Sequence, residues 1–318
     1  LFMDDLKRDS RTMPRVFQQI DWSNGGDGIV ARNGITSISQ LRGKTIVLSQ
    51  NSPSQYFVLN ALINGGVQPS EVTFKYTGDA FQAAAAFAAD KSIAACVSWA
   101  PDIYNLSKVQ GNKLIVSTAE ANRLIADVWF ARADFAKDNP GIIEALVRGF
   151  LDAVDELDSQ ENKQAAAKLM AEGYKLPPAD ALSMLGDAHW TNYAENKDFF
   201  LNQNNPTNFE RTWDTAYYLY GRIGKVGNKM SWASVADFSI IQKLSKYAAS
   251  QNKYHVKFAA KSVSSVQAEP GEILTKTVII HFAPNKADVH EKILKSVNGK
   301  QVEELYDPNV DFVLEEVG

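Results

Sequence analysis

Between Thr45 and Val116 the chain alternates strand-length apolar runs with helix-length segments, and this alternation limits the fold more than any other feature. Thr45-Ile46-Val47-Leu48-Ser49 is a short apolar run. Ser52-Pro53-Ser54-Gln55 then opens a helix, with Ser52 as N-cap, Pro53 at the first helical position and Gln55 closing a capping box. Gly65-Gly66 ends it. Val72 to Tyr76 alternates with period two, Asp79 caps an alanine-rich helix through Ala89, and Ile93 to Val97 and Lys113 to Val116 read as further strands. Strands spaced by such helices predict βαβ units, a mostly parallel sheet and an α/β fold.

After Asp127-Val128-Trp129-Phe130-Ala131 the character changes. Asn139-Pro140 starts a long amphipathic helix whose apolar face is read as Ile142, Ala145, Leu146, Gly149, Phe150, Ala153, Val154 and Leu157. Further helices are predicted around residues 160–172, 178–188, 207–223 and 234–248, the third with an aromatic stripe of Phe209, Trp213, Tyr217 and Tyr220 that reads as core. Lys261 to Gly271 reads as a linker, and Thr277 to Phe282 as a strand. From Val256 onward 7 lysines face 10 acidic residues and no arginine.

Composition removes several function classes. A length of 318 residues suggests about two domains. The net charge of -4, with 33 basic and 37 acidic residues, offers no basic face for nucleic acid. A single cysteine, Cys96, excludes an intramolecular disulfide, and the histidines at 189, 255, 281 and 290 lack metal-ligand spacing. No 18-residue apolar run is present. Leu1-Phe2-Met3-Asp4-Asp5 has neither the basic nor the apolar region of a signal peptide. There is no nucleophile elbow, GxxxxGK or HExxH, and Gly25-Gly26-Asp27-Gly28 lacks the dinucleotide register, so no cofactor and no enzyme chemistry are expected.

What remains are helix N-termini directly after strands, where free N–H groups and the helix dipole can meet a polar ligand. Three stand out: Asn51 to Gln55, Thr77 to Ala80, and Ser98-Trp99-Ala100-Pro101-Asp102. Each is either a plain cap or core position, or a ligand contact.

These residues resemble a known family. Asp21-Trp22-Ser23-Asn24-Gly25-Gly26-Asp27-Gly28, followed by Ile35 to Ile46 with its Leu41-Arg42-Gly43-Lys44, is similar to the nitrate/sulfonate/taurine-type periplasmic solute-binding proteins of ABC transporters. The Ser-rich helix start, the strand ending in Trp99-Ala100-Pro101, Asp127 to Arg132 and the Asn139-Pro140 helix continue the pattern, over roughly Arg15 to Ala249. Thr277 to Asp288 and Leu305 to Gly318 resemble the start of an OmpA-like domain.

The resemblance implies a two-lobed type II binding-protein fold. Residues 1–32 would hold the end of lobe one and a first hinge strand, Val16 to Ile20. Residues 33–125 would form lobe two, and 126–255 a second hinge strand, Val128 to Ala131, with the returning helical part of lobe one. A linker, 256–275, and a truncated OmpA-like α+β fragment, 276–318, would follow. Only about 15 residues precede Arg15, so lobe one is expected to be incomplete and a signal peptide to lie outside this chain.

The implied function is capture of a small polar anionic or zwitterionic ligand in an interlobe cleft for an inner-membrane ABC permease, in the periplasm. Ser23, Asn24, Asp27, Ser52, Ser54, Gln55, Asp79, Trp99 and Asp127 are expected to border that cleft. A zwitterion would place its acid at Ser52 and Ser54 and its amine near Asp27 or Asp127. Peptidoglycan would be bound only through a complete OmpA-like domain. The alternatives are a cell-envelope tether with a degenerate binding lobe, and a thiamine-pyrimidine-type enzyme, against which stands the lack of any histidine before His189.

Overall fold

The computed structural model describes residues 3–121, 123–254, 292–297 and 300–305. The chain divides into two compact units, Leu1–Phe258 and Ala259–Gly318. The first runs α1 (Met3–Leu6), β1 (Pro14–Ser23), β2 (Asp27–Ala31), β3 (Thr45–Ser49), α2 (Pro53–Asn64), β4 (Thr73–Thr77), α3 (Ala80–Ala89), β5 (Ala95–Trp99), α4 (Asp102–Ser107), β6 (Lys113–Ser117) and β7 (Ala126–Arg132). It continues with α5 (Ala133–Asp138), α6 (Pro140–Glu156), α7 (Gln160–Tyr174), α8 (Pro178–Met184), β8 (Ala188–Trp190), α9 (Tyr193–Leu201), α10 (Phe209–Arg222) and α11 (Ser239–Lys243). In the second unit β9 (Lys292–Val297) and β10 (Lys300–Leu305) pair as an antiparallel hairpin. The linker, the strand expected at Thr277 to Phe282 and the helix expected beyond Leu305 lie outside the described residues; Leu305 itself ends β10.

The larger sheet has the order β4-β3-β5-β2-β6. β3 is parallel to β4 and β5, whereas β2 is antiparallel to β5 and β6, so four strands run one way and β2 is reversed. Period-two side chains cover both faces. Ile46 and Leu48 pack with Phe57, Val58 and Leu62 of α2 on one side. Val47 and Cys96 pack with Phe87 of α3 and Ile103 of α4 on the other. Cys96 is fully buried, and burial pushes its thiol up to about 12.

The smaller sheet has the order β7-β1-β8, all antiparallel. Behind it Trp22 meets Phe199 edge-on at 5.2 Å, in a cluster with Phe200 and Phe209. The aromatic stripe of α10 is largely structural: Phe209 and Tyr220 are buried, and Trp213 donates Nε1–H to the Met230 carbonyl at 2.8 Å.

Several local readings change. On α6 the buried residues are Ile143, Val147 and Leu151, which stack at i, i+4 against Phe17 and Ile241. The expected stripe is instead turned outward, with Ile142 50% and Leu146 45% exposed. The helix carries apolar residues on two adjacent faces, and the face of Ile143, Val147 and Leu151 is taken into the core. The helix expected to reach residue 188 stops at Met184; a 3-10 turn, Leu185–Asp187, follows, and Ala188–Trp190 joins β1 as a strand. The 234–248 helix shortens to α11 and the turn Ser245–Tyr247. At the start of α2, Gln55 Oε1 accepts the Asn51 N–H at 2.7 Å, one residue before the cap, while Ser52 Oγ donates to the Ser49 carbonyl at 2.8 Å.

Candidate functional site

Alternation along β1 sends Trp22 into the core and its neighbours Asp21 and Ser23 to the opposite face. There they line a cavity of about 690 Å³ between the two sheets. Asp127 of β7 lies directly opposite Asp21 in the ladder and joins the lining. The β1–β2 turn brings Gly26 and Asp27, and β5 ends there with Trp99, Ala100 and Pro101. The wall is closed by Phe81 of α3, Met170 and Tyr174 of α7, Leu176, Met184 of α8, and Asp187 with Ala188.

The turn is built to bring these groups together. Gly25 has φ +113°, a region that disfavours side chains. A Cβ on Gly26 would lie 3.1 Å from the Asp187 carbonyl, which accepts the N–H groups of Asn24 and Gly26 at 2.7 and 3.2 Å. Ser23 Oγ donates to Asp27 Oδ2 at 2.7 Å and lies 2.7 Å from Thr118 Oγ1. Thr118 Oγ1 also accepts the N–H groups of Gly25 and Asp27. Tyr104 donates its hydroxyl to Asp187 Oδ1 at 2.7 Å.

The four carboxyls share one electrostatic condition. Burial raises Asp21 to about 7, helped by Asp127 and Asp27. Burial likewise raises Asp27 to about 6 against the opposing bond from Ser23. Asp127, on the solvent side, and Asp187 are both raised by loss of water, the latter against its bond from Tyr104. Among the described residues no lysine, arginine or histidine lines the cavity. Asp27 Oδ1 and Asp187 Oδ2 are buried without a hydrogen-bond partner.

Of the nine residues singled out from sequence, Ser23, Asp27, Trp99 and Asp127 line this cavity. Asn24 sits just outside, its Nδ2 donating to the Gly186 carbonyl. Ser52, Ser54 and Gln55 are elsewhere: Tyr220 of α10 donates its hydroxyl to the Ser52 carbonyl at 3.3 Å, Gln55 donates to the Tyr76 hydroxyl, and Ser54 is fully buried. Asp79 is occupied as the α3 cap by the Gln82 N–H at 2.8 Å. Asp21, Phe81, Tyr174 and Asp187 were not singled out. The period-two step from Ser23 marks Asp21; Asp187 follows a helix end in a 3-10 turn and carries no sequence signal.

His189 serves the scaffold. Its Nε2 lies 3.0 Å from Glu195 Oε2, and its ring packs on Tyr254 at 4.4 Å. Burial pushes the Glu195 carboxyl up, but the bonds from His189 and the Asn192 N–H outweigh it and hold it below its usual range. Glu195 Oε1 also accepts the N–H groups of Lys253 and Tyr254 at 2.8 and 2.9 Å.

Comparison with known proteins bears on fold and ancestry. The NMT1/THI5-like family model matches residues 16–161. The taurine-binding periplasmic protein of Escherichia coli (strain K12) is 27% identical over 143 residues, 43% of this chain and 43% of that protein, so the match spans under half the length of that relative. The alkanesulfonate-binding protein SsuA from Xanthomonas axonopodis pv. citri, bound to MOPS, superposes with a TM-score of 0.58 at 16% identity over 71% of this chain and 74% of its own. The desulfurization enzyme DSZB superposes with a TM-score of 0.51 at 16% identity over 73% and 78%. At these identities the structural likeness is one of fold, and the fold hosts both capture and catalysis. The chain thus has the α/β fold of the periplasmic binding proteins, and its residues 16–161 match the NMT1/THI5-like family.

Proposed function

We infer that this protein is the periplasmic solute-binding component of an ABC importer, capturing a small polar ligand in an interlobe cleft and presenting it to an inner-membrane permease. One observation carries the reading: polar groups from β1, β2, β7 and the Asp187 turn converge with aromatic walls on a single cavity between two sheets. The similarity to a taurine-binding protein supports it. Cys96 speaks against cysteine-based catalysis, since a thiol sealed in the core and pushed up to about 12 is a poor nucleophile. No helix among the described residues is long and apolar enough to cross a membrane. In the proposed arrangement β1 and β7 are the hinge strands, and closure of the lobes buries the ligand. The test is a thermal-shift screen of small polar metabolites. The reading expects at least one saturable stabiliser whose effect disappears when the cavity is filled by Ser23→Trp; a screen without any such compound ends it.

A further inference from the structure

We propose that the cavity between the two sheets takes a small organic cation, an amine or amidine with an apolar body, whose N–H groups are received by Asp21, Asp27, Asp127 and Asp187. Its body would lie against Trp99 and Tyr174. The proposal rests on the capture reading above and assigns the chemistry of the captured molecule.

The lining charge comes first. Four carboxylates converge, and no cationic side chain among the described lining residues offsets them. Like charges held in one partly dry space repel, and a positive ligand converts that repulsion into attraction. The unused hydrogen-bonding capacity points the same way. Asp27 is only 7% exposed, and Ser23 occupies its Oδ2 while its buried Oδ1 has no donor. Asp187 Oδ2 is left in the same state, its Oδ1 taken by Tyr104. Buried acceptors without donors are costly, and N–H groups on a ligand supply what is missing.

A metal ion does not fit. Among the described residues no group of three His, Cys, Asp or Glu side chains lies close enough to hold one. The carboxylates are instead spread around about 690 Å³, a space suited to an organic molecule. The walls between them are apolar or aromatic: Phe81, Trp99, Met170, Tyr174, Leu176 and Met184. Aromatic faces attract cations, and methionine and leucine accommodate a hydrocarbon body. A sulfonate would find few donors here, because the Ser23 hydroxyl is committed to Asp27 and Thr118. Ser52 and Ser54, the acid-binding positions expected for a zwitterion, do not line this cavity.

The test is isothermal titration of the full chain at neutral pH with putrescine and agmatine as cations, and with taurine and ethanesulfonate. The proposal expects saturable binding of at least one cation and none of ethanesulfonate. It also expects a loss of about tenfold or more in affinity for that cation in Asp27→Asn and in Asp187→Asn. Circular dichroism establishes that each variant is folded, and if one is not, the other carries the test. Binding of taurine or ethanesulfonate without the cations overturns the assignment and leaves the capture reading standing. Cation binding unaffected in the folded variants overturns the site. Silence with all four probes in a folded protein overturns the assignment and counts against capture itself.

Discussion

Asp21 of β1 and Asp127 of β7 occupy directly opposed positions in an antiparallel ladder, and both border one cavity. Facing like charges weaken a strand pair, so this juxtaposition lowers the stability of the unliganded fold.

Replacing Asp21 with Asn should therefore stabilise the ligand-free protein near pH 8 by about 1–3 kcal/mol, since a buried charge is removed without loss of shape. Near pH 5 the gain should be close to zero, because a carboxyl raised to about 7 is already neutral there. Urea unfolding of both proteins at both pH values measures the difference.

The pH dependence of the unliganded chain follows with a definite sign. Asp21 and Asp27 are raised to about 7 and about 6, so between those values and the ordinary carboxyl range the folded state binds more protons than the unfolded one. These two groups make stability fall as pH rises from about 4 to about 7. Binding of an organic cation should run oppositely and tighten over the same window as the carboxylates ionise. Melting curves and titrations across that range should slope in opposite directions.

Trp22→Ala should destabilise the larger unit by about 3–5 kcal/mol, the range for deleting a buried aromatic side chain. Trp22 is 4% exposed and wedged edge-on against Phe199, leaving a cavity that Phe200 and Phe209 cannot fill without breaking their own contacts. The denaturant midpoint should drop with the slope unchanged.

Glu195→Ala removes the acceptor for four partners: His189 and the N–H groups of Asn192, Lys253 and Tyr254. A loss of about 2–4 kcal/mol is expected from the orphaned donors. Limited proteolysis should then cut near residues 251–254 faster than in the parent, a local effect that a general loss of packing would not give.

The α/β scaffold was readable because short apolar runs such as Thr45–Ser49 and the capped helix at Asp79 carry their signals locally. The site was readable only in part. Asp27 and Trp99 sit at strand ends, where polar and aromatic residues interrupt an apolar run. Asp187, Met170 and Tyr174 reach the cavity through the packing of α7 and α8, a tertiary outcome with no local mark. The helix start at Ser52 reads equally as a plain cap or a ligand contact; it does not line the cavity, and Tyr220, 168 residues away, donates to the Ser52 carbonyl. The outward stripe of α6 misled for a different reason: two apolar faces share one helix, and periodicity cannot say which one the core accepts.

The alternation along β1 has a structural corollary. Trp22 anchors the strand, while Asp21 and Ser23 on either side face the cavity. A one-residue slip would drive both polar groups into the aromatic cluster, so Trp22 helps lock the register, together with buried Val16 and Phe17 and the bond from the Gln19 N–H to Asn196 Oδ1. The core does not constrain residue 21, whereas Ser23 is held by its bonds to Asp27 and Thr118. A change at residue 21, from carboxylate to amide or hydroxyl, would alter the polarity of the cavity without disturbing the aromatic core behind it.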